Sequence, residues 1–582
     1  MKIILVVHQF PPNYTAGTEV LTYSVGKDLI RRGHEVRVLT ASPTKKPLSD
    51  AERFDEYEIQ GMMVYRFSHG FVSMGNQSVI MELEHNNILL ARYFRSILDD
   101  YQPEIVHIFH MSRLGAAIID VATSIKIPTF FTPTDFWSIC PTSLLMLNDG
   151  RTCMGPTSIG GNCVRHVAIQ APWGKIGKLA KYTPNLVADG IVQMSRRNWI
   201  SSKIKMLQEV RAVSDRAEYL VSRLNALNGI ISPTNLMTQV LIRNGVNATL
   251  IRQHMYGIDI DKYDPVDRKQ SSGRLVTFGF IGGLSPHKGC HILIKAIKYL
   301  NRRDIRLKIY GNPKEMPKYY DELLAMANEQ STIEFCGTFP NDNISSVLSG
   351  LDALVVPSIW FENAPLVIHS ALAARCPVLA SNFPGMSEVI TNEKNGLLFE
   401  PGSPEDLAAK ISRILDEPGL LQNLSSQCRL PKSIPQYVEE ILAIYKSPPV
   451  IQSRGGIVNY ENHPPMDPKS EASFITGWCV VGGGQPAVVE LYAGDQLVVQ
   501  TCQFQLRPDV SLGLKKAGLP IQGNLFGFSL SFTTGVERSS VSIRICSEIG
   551  HSVSLPIGLL EYGSMVTVEE GCYIGLESEY FG

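Results

Sequence analysis

No apolar run in this 582-residue chain is long enough to cross a bilayer as a helix, which takes roughly 20 residues. A secretory leader is not expected either. The first residues hold one basic side chain, Lys2, and a short apolar run that ends at His8 and Pro11-Pro12, with no small-residue cleavage site. Net charge is nearly absent: 54 Lys plus Arg against 55 Asp plus Glu leave -1, which argues against a generic polyanion binder such as a nucleic-acid coat. Biased or repetitive segments are lacking too, and 44% hydrophobic with 19% charged residues describes a globular, mostly ordered chain. Cysteine is scarce and odd in number, 11 residues scattered from Cys140 to Cys572, so buried thiols in a reducing, cytoplasmic setting are expected rather than a disulfide framework. Cys140, Cys153, Cys163 and His166 would suffice for a tetrahedral zinc set, but their irregular spacing lacks paired C-x₂-C knuckles; buried thiols of an insertion loop are the expectation.

What is present points to more than one domain, because a single core stops growing at roughly 250 to 300 residues. Residues 2–7 form a β-branched run, followed by a Pro/Gly loop, an amphipathic stretch over 21–32, Gly33 and the run 35–39, a βαβ unit of a parallel sheet. Strands are expected at 105–108 and 129–131, with a helix over 114–124 between them. After the polar segment 264–273, which reads as a linker, the alternation begins again with strands at 275–281, 306–310, 332–335, 353–356 and 378–380. Helices are expected between them at 291–300, 319–327, 344–348 and 365–374. The fold class expected is α/β: two facing Rossmann-like lobes with a ligand cleft between them at the carboxyl ends of the strands. The expected domains are a first lobe over 1–265, a second over 270–432, a helix at 433–447 returning to the first, a linker over 448–466 and a β-sandwich over 467–582.

Chemistry concentrates in the second lobe. Gly282-Gly283-Leu284-Ser285-Pro286-His287-Lys288-Gly289 follows a strand and precedes a helix, so its backbone amides can approach an anion and Lys288 adds charge. A second strand-end loop, Pro357-Ser358-Ile359-Trp360-Phe361-Glu362-Asn363-Ala364-Pro365-Leu366, opens another helix. Pro365 suits the first helical position, the amides of 364–367 would point at a diphosphate, and Glu362 would stand at the cleft mouth. A plainer role for Glu362 is to stabilise the helix dipole, worth about 0.3 to 1 kcal/mol.

These two loops, with Pro384-Gly385-Met386-Ser387-Glu388-Val389-Ile390 and Asn395-Gly396-Leu397-Leu398-Phe399, resemble glycosyltransferase family four, of the GT-B fold, in order and spacing. Phe10-Pro11-Pro12, Ala16-Gly17-Thr18-Glu19, Gly33-His34-Glu35-Val36, Pro103-Glu104-Ile105-Val106-His107 and Tyr256-Gly257-Ile258-Asp259 extend the resemblance to about residues 1–447. The resemblance implies that Lys288 holds the phosphates of a nucleotide-diphosphate sugar and that the Gly17 loop closes over them from the other lobe. Glu362 would bind hydroxyls of the donor sugar. Gly283, Asn363, Ala364, Pro365, Leu366 and Ser370 would complete the donor site, with Asp135 joining Lys288 and Glu362 in catalysis. It implies retention of anomeric configuration without a metal, by positioning and charge stabilisation of the leaving diphosphate. The chain departs from the family pattern at three places. Ser370 stands where a second glutamate is usual, eight residues after Glu362 and about 12 Å along a helix; Gly283 replaces an arginine, and Thr134 a histidine before Asp135.

Lys175, Lys178, Lys181, Arg196, Arg197, Lys203, Lys205 and Arg211 alternate with apolar residues and Trp199. Such a stretch suits peripheral contact with an anionic membrane, or else a solvated helical face over a core. Asp259-Ile260-Asp261 spells a metal-dependent transferase pattern but falls where the family has a structural Gly-Ile-Asp. The function expected is sugar transfer to a saccharide or lipid-linked saccharide in bacterial cell-surface polysaccharide synthesis. A weakened nucleotide-sugar-binding scaffold and a two-lobed nucleotide-sugar epimerase stay open.

Overall fold

The computed structural model describes residues 1–170, 175–266, 268, 275–328 and 330–446, and the strands lying between 472 and 580. Its contacts form two compact units, Met1–Val240 with Leu250–Pro449, and Leu241–Thr249 with Val450–Gly582.

The first unit holds two sheets. In the first lobe, strands β1 (Lys2–Val7), β2 (Glu35–Pro43), β3 (Phe54–Ile59), β4 (Met62–His69), β5 (Ile105–Ile108), β6 (Thr129–Phe131), β7 (Gly229–Ser232) and β8 (Ile251–Gln253) stand in the order β3-β4-β2-β1-β5-β6-β7-β8. Every pairing is parallel except the β3–β4 hairpin at the edge. Burial explains this: Ile3 to Val7 are all fully buried, the continuous apolar run of a strand covered on both faces, whereas β3 alternates and is half exposed. The helices are α1 (Gly17–Arg31), α2 (Ile80–Leu83), α3 (Ile88–Tyr101), α4 (Ala117–Ser124), α5 (Gly161–Gln170), α6 (Lys175–Tyr182), α7 (Asn185–Ser195), α8 (Asn198–Ser201), α9 (Lys205–Leu224) and α10 (Asn235–Arg243). Helix α1 begins four residues before the amphipathic pattern becomes visible, so Gly17 is its first residue and not part of a loop. It stops where Gly33 takes φ 83°, a left-handed conformation that suits glycine after a helix.

The second lobe is an all-parallel sheet of β9 (Val276–Ile281), β10 (Ile305–Tyr310), β11 (Ile333–Gly337), β12 (Ala353–Val356), β13 (Val378–Ser381) and β14 (Gly396–Phe399), ordered β11-β10-β9-β12-β13-β14. Helices α11 (Cys290–Leu300), α12 (Pro317–Ala327), α13 (Ile344–Ser349), α14 (Leu366–Ala373), α15 (Pro404–Asp416) and α16 (Leu420–Ser426) accompany it, with apolar clusters around Phe278 and Leu407 and around Leu354 and Ile368. Helix α17 (Ile434–Lys446) then places Ile434, Tyr437, Val438, Ile441, Ile444 and Tyr445 in the first lobe's core beside Ile3, Leu21 and Val38. Within the stretch read as a linker, Arg268 is buried, its guanidinium donating to the carbonyls of Leu348, Leu351, Ala374 and Val266 around the ends of α13 and α14.

Both sheets have one point where strand order reverses, between β1 and β5 and between β9 and β12. At such a point the loops leaving two neighbouring strands diverge and open a crevice at their carboxyl ends. In the second unit the described strands form antiparallel sheets of five and four strands, including 486–493, 496–501 and 541–547.

Candidate active site

The two loops singled out in the second lobe leave β9 and β12, so both lie at its reversal point. Glycine holds them together. Gly289 has φ 73°, and a Cβ there would fall 1.8 Å from the Pro357 carbonyl oxygen; at Gly385, φ 87°, it would fall 1.9 Å from the Glu362 carbonyl oxygen. The Ile359 amide donates to the His287 carbonyl at 2.9 Å, locking the loops in register.

Within this frame Lys288 Nζ meets Glu362 Oε1 at 2.8 Å, and the same oxygen accepts from Ser358 Oγ at 2.6 Å and Trp360 Nε1 at 2.9 Å. The Lys288 ammonium also lies 5.0 Å from the Trp360 ring centre. Burial alone would raise the Glu362 carboxyl; the charge of Lys288 and the three donors outweigh it and hold the group below the ordinary carboxylate range. Glu362 is therefore an ionised, firmly held acceptor. Its side chain is 6% exposed against 28% for Lys288, so the cation is the more accessible partner.

Residues 363–366 depart from the expected picture. Asn363 is buried and accepts from Thr234 Oγ1 at 2.9 Å while donating to the Pro133 carbonyl at 3.1 Å, so its side chain ties the lobes together. Ala364, at φ 53°, packs into the first lobe's apolar core. Pro365 is the cap of α14 rather than its first residue, with ψ 120°. The helix begins at Leu366, leaving the first-turn amides of Leu366 and Val367 without intrahelical acceptors. Glu362 and Ser370 consequently do not share a helix as the spacing suggested: Glu362 lies in the loop and Ser370 in α14. Ser370 Oγ donates back to the Leu366 carbonyl at 3.0 Å and accepts from Tyr263 OH at 2.8 Å. Gly283 lies under an exposed carboxylate, as a Cβ there would be 3.0 Å from Glu315 Oε1.

Across the crevice a methyl on Gly17 would touch Leu366 at 3.7 Å, so the N-termini of α1 and α14 converge, positive end to positive end. Phe136 and Trp360 meet edge to face at 6.5 Å. Asp135 accepts from the Trp137 amide at 2.7 Å and from His110 Nε2 at 3.0 Å; Ser112 donates its amide to His110 Nδ1, which settles the proton on Nε2. The His110 ring lies 4.1 Å from that of His8, tilted by 44°, and His8 Nε2 is 3.4 Å from Glu19 Oε1. Burial drives His8 well below the ordinary histidine range, helped by His110 and Arg113, and pushes Glu19 up. Glu388 accepts from the Asn235 and Leu236 amides at 2.6 and 2.9 Å, joining the lobes at α10.

Residues 266–430 match the family described as "Glycosyl transferases group 1", and residues 15–147 match "Glycosyltransferase Family 4". The chain is a glycosyltransferase with the GT-B fold. It is 22% identical over 436 residues to an uncharacterized glycosyltransferase of Methanocaldococcus jannaschii, across 74% of this chain and 93% of that one. To the D-inositol 3-phosphate glycosyltransferase of Rhodococcus jostii it is 26% identical over 277 residues, 45% of this chain and 57% of the relative. Among solved structures, Anabaena HepE in complex with UDP and glucose aligns with TM-score 0.51 and 16% identity over 77% of this chain and all of that one. Sucrose-phosphate synthase of Thermosynechococcus elongatus aligns at 0.50 and 16% identity over 76% and 96%.

In this glycosyltransferase the structure adds His8, Glu19 and His110 to the residues around the crevice. His8 directly follows β1 and His110 lies two residues beyond β5, the pair of strands at the first lobe's reversal point; that rule would have found both had the strand order been known. Cys140, Cys153, Cys163 and His166 line one small cavity, away from these loops in sequence. Among the described residues no three His, Cys, Asp or Glu side chains are arranged to hold a metal ion. Asp259 meets Lys262 at 3.6 Å, while Gly257 lies against the Ser433 carbonyl, 2.4 Å from where a Cβ would stand, which gives the 256–259 segment a structural role.

Proposed function

We propose that this glycosyltransferase moves a sugar from a nucleoside-diphosphate sugar to a saccharide or lipid-linked saccharide acceptor, with retention, in the cytoplasmic synthesis of a bacterial cell-surface polysaccharide. The observation that carries the reading is the Lys288–Glu362 pair at the second lobe's reversal point, with Glu362 in a loop that runs directly into the N-terminus of α14, where α1 also begins. A dianionic diphosphate fits that field: Lys288 turns from Glu362 to the phosphates, and the amides opening α14 donate hydrogen bonds to the phosphate oxygens. Glu362, freed in part, takes hydroxyls of the sugar. Asp135, held by His110, orients the acceptor from the first lobe.

In the step proposed, the acceptor oxygen attacks the anomeric carbon on the face from which the diphosphate leaves. The carbon–oxygen bond to the diphosphate breaks with its electron pair passing to the phosphate oxygen, which takes the acceptor's proton. Charge stabilisation comes from Lys288 and the helix termini, so the reading requires no metal. UDP and glucose in the Anabaena structure support the donor class. The C-terminal sheets are proposed to pack as an accessory β-sandwich without catalytic residues.

A second reading has its own observation. Ser370 is engaged by Tyr263 and Glu315 stands over Gly283, so the chain lacks one usual acceptor of the donor and places a negative charge near the phosphate loop. A nucleotide-sugar-binding scaffold would look like this. Incubation with UDP-, GDP- and dTDP-sugars, followed by calorimetry and by assay of donor hydrolysis and sugar transfer, separates the two: turnover is expected, and binding without turnover under every acceptor supports the scaffold. Lys288→Ala and Glu362→Ala are each expected to lower turnover by about 100-fold or more. An undiminished rate in Glu362→Ala overturns the site assignment.

A further inference from the structure

Large apolar side chains that face solvent are not spread evenly over the described residues. In the short segment from α6 to the start of α9, Leu179 is 71% exposed, Tyr182 80%, Leu186 85%, Trp199 70% and Met206 52%. Exposure on this scale exceeds the scattered apolar residues of an ordinary surface. It is not the back of an amphipathic core helix: α7 buries Ala188, Val192 and Ser195 inward and turns Val187, Ile191 and Met194, three and four residues apart, to the outside.

Charge on the same segment is sorted by sign. Its acids are drawn into the fold: Asp189 accepts from the Gly161 amide at 3.1 Å, and Glu209 accepts from the Ile80 and Met81 amides at 3.0 and 2.8 Å, capping α2. Lys178, Lys181, Arg197, Lys203 and Lys205 point outward and form no ion pair among the described residues. What this segment turns to solvent is thus an apolar patch with aromatic residues, and its exposed charges are cations.

We propose that α6, α7, α8 and the first turn of α9 form a surface that seats the protein on an anionic lipid bilayer. The apolar side chains enter the headgroup boundary, Tyr182 and Trp199 sit at the interface where amphipathic rings are favoured, and the lysines meet lipid phosphates. None of these helices is long and apolar enough to cross a membrane, which suits a surface that lies on the bilayer. A second copy of the chain is the poorer occupant, because a two-fold contact through this patch would oppose like charges. The surface is independent of the donor-site reading, as none of its residues belongs to that site.

The test uses the full chain and sucrose-loaded vesicles of phosphatidylcholine, with or without phosphatidylglycerol. Sedimentation with the phosphatidylglycerol vesicles is expected, and at least about tenfold less with phosphatidylcholine alone, because neutral lipid supplies no charge for the lysines to meet. Leu186→Glu with Trp199→Glu, at positions too exposed to threaten folding, is expected to lower the bound fraction about tenfold while donor hydrolysis in vesicle-free buffer is unchanged. Lys178→Glu, Lys181→Glu, Lys203→Glu and Lys205→Glu together are expected to do the same. Wild-type protein that stays in the supernatant overturns the proposal. So does undiminished sedimentation of Leu186→Glu/Trp199→Glu, or a dimer in analytical ultracentrifugation that this variant dissolves. Loss of hydrolysis in Lys288→Ala with vesicle binding intact leaves it standing.

Discussion

At Gly289 there is no room for a side chain: the backbone is left-handed and the Pro357 carbonyl fills the space a Cβ would need. Gly289→Ala should push apart the two loops that present Lys288 and Glu362, costing about 1 to 3 kcal/mol and with it nucleotide-sugar affinity. Thermal melting and calorimetry read the two effects; a variant with wild-type affinity would mean that the loops need not touch. Buried histidines decide the pH response. His107, enclosed with Tyr445 OH at 2.5 Å and Thr132 Oγ1 at 2.8 Å, is pushed down by burial to about 3, as is His85; His369 falls to about 4 and His287, through burial and the neighbouring Lys288, also to about 4. Between these values and about 6.5 the unfolded chain binds protons that the folded protein does not, so stability declines as pH falls through that window. Glu362, held low, loses its contribution in the same direction at more acid pH, whereas Glu19, raised by burial, works against it. The urea midpoint is expected to be lower at pH 5 than at pH 7, and an unchanged midpoint would mean these rings are protonated in the native protein.

Helix α17 comes after the second lobe in sequence but stabilises the first. Ile441 is fully buried in the cluster that includes Leu21, Val25 and Leu29 of α1, and Arg32 donates to the Pro435 carbonyl at 2.8 Å. Truncation of Ile441 to alanine should cost about 2 to 5 kcal/mol, seen as a lower denaturant midpoint. Arg268 does comparable service for α13 and α14: its guanidinium satisfies carbonyls at their C-terminal ends, where the helix dipole also favours a cation. Arg268→Met keeps the aliphatic stem but leaves those acceptors buried and unpaired, a loss of about 3 kcal/mol. Because α14 follows directly on the loop that holds Glu362 against Lys288, that variant is also expected to bind a nucleotide sugar more weakly than its stability loss alone explains.

For the whole molecule, the described residues of the candidate site end at Glu388, and both matched families end by residue 430. A chain ending at Lys446 is therefore expected to retain donor binding and hydrolysis, measured against the full chain; loss of hydrolysis in a folded truncation would give the C-terminal strands a part in the reaction. Lobes joined by Asn363, Thr234, Glu388 and α17 should melt as one unit in that truncation. A nucleotide sugar at about 100 times its dissociation constant adds about 2.7 kcal/mol to such a unit, and the single transition should move upward without splitting.

The alternation of apolar runs with amphipathic stretches was enough to read the two parallel α/β lobes, and strands β5, β6 and β12 stand at the residues expected, because a strand buried on both faces must be continuously apolar. Strands β3, β4, β7 and β8 were not legible: β3 alternates weakly at the exposed edge, β4 is the buried arm of the same hairpin, and β7 and β8 are runs of only four and three residues. The glycine-rich motif around Lys288 and the loop around Glu362 were legible as candidate loops, since their residue types suit anion chemistry wherever they fall. Which strands flank the reversal points was decided only by strand order, a long-range property that local pattern does not encode. The same holds for residues 363–366, which the resemblance assigned to the donor site: in the folded chain the side chains of Asn363 and Ala364 join the lobes instead. Sequence also could not tell that the apolar residues from α6 to α9 face outward. Periodicity shows that a helix has two faces, but only the packing of its neighbours determines which one is covered.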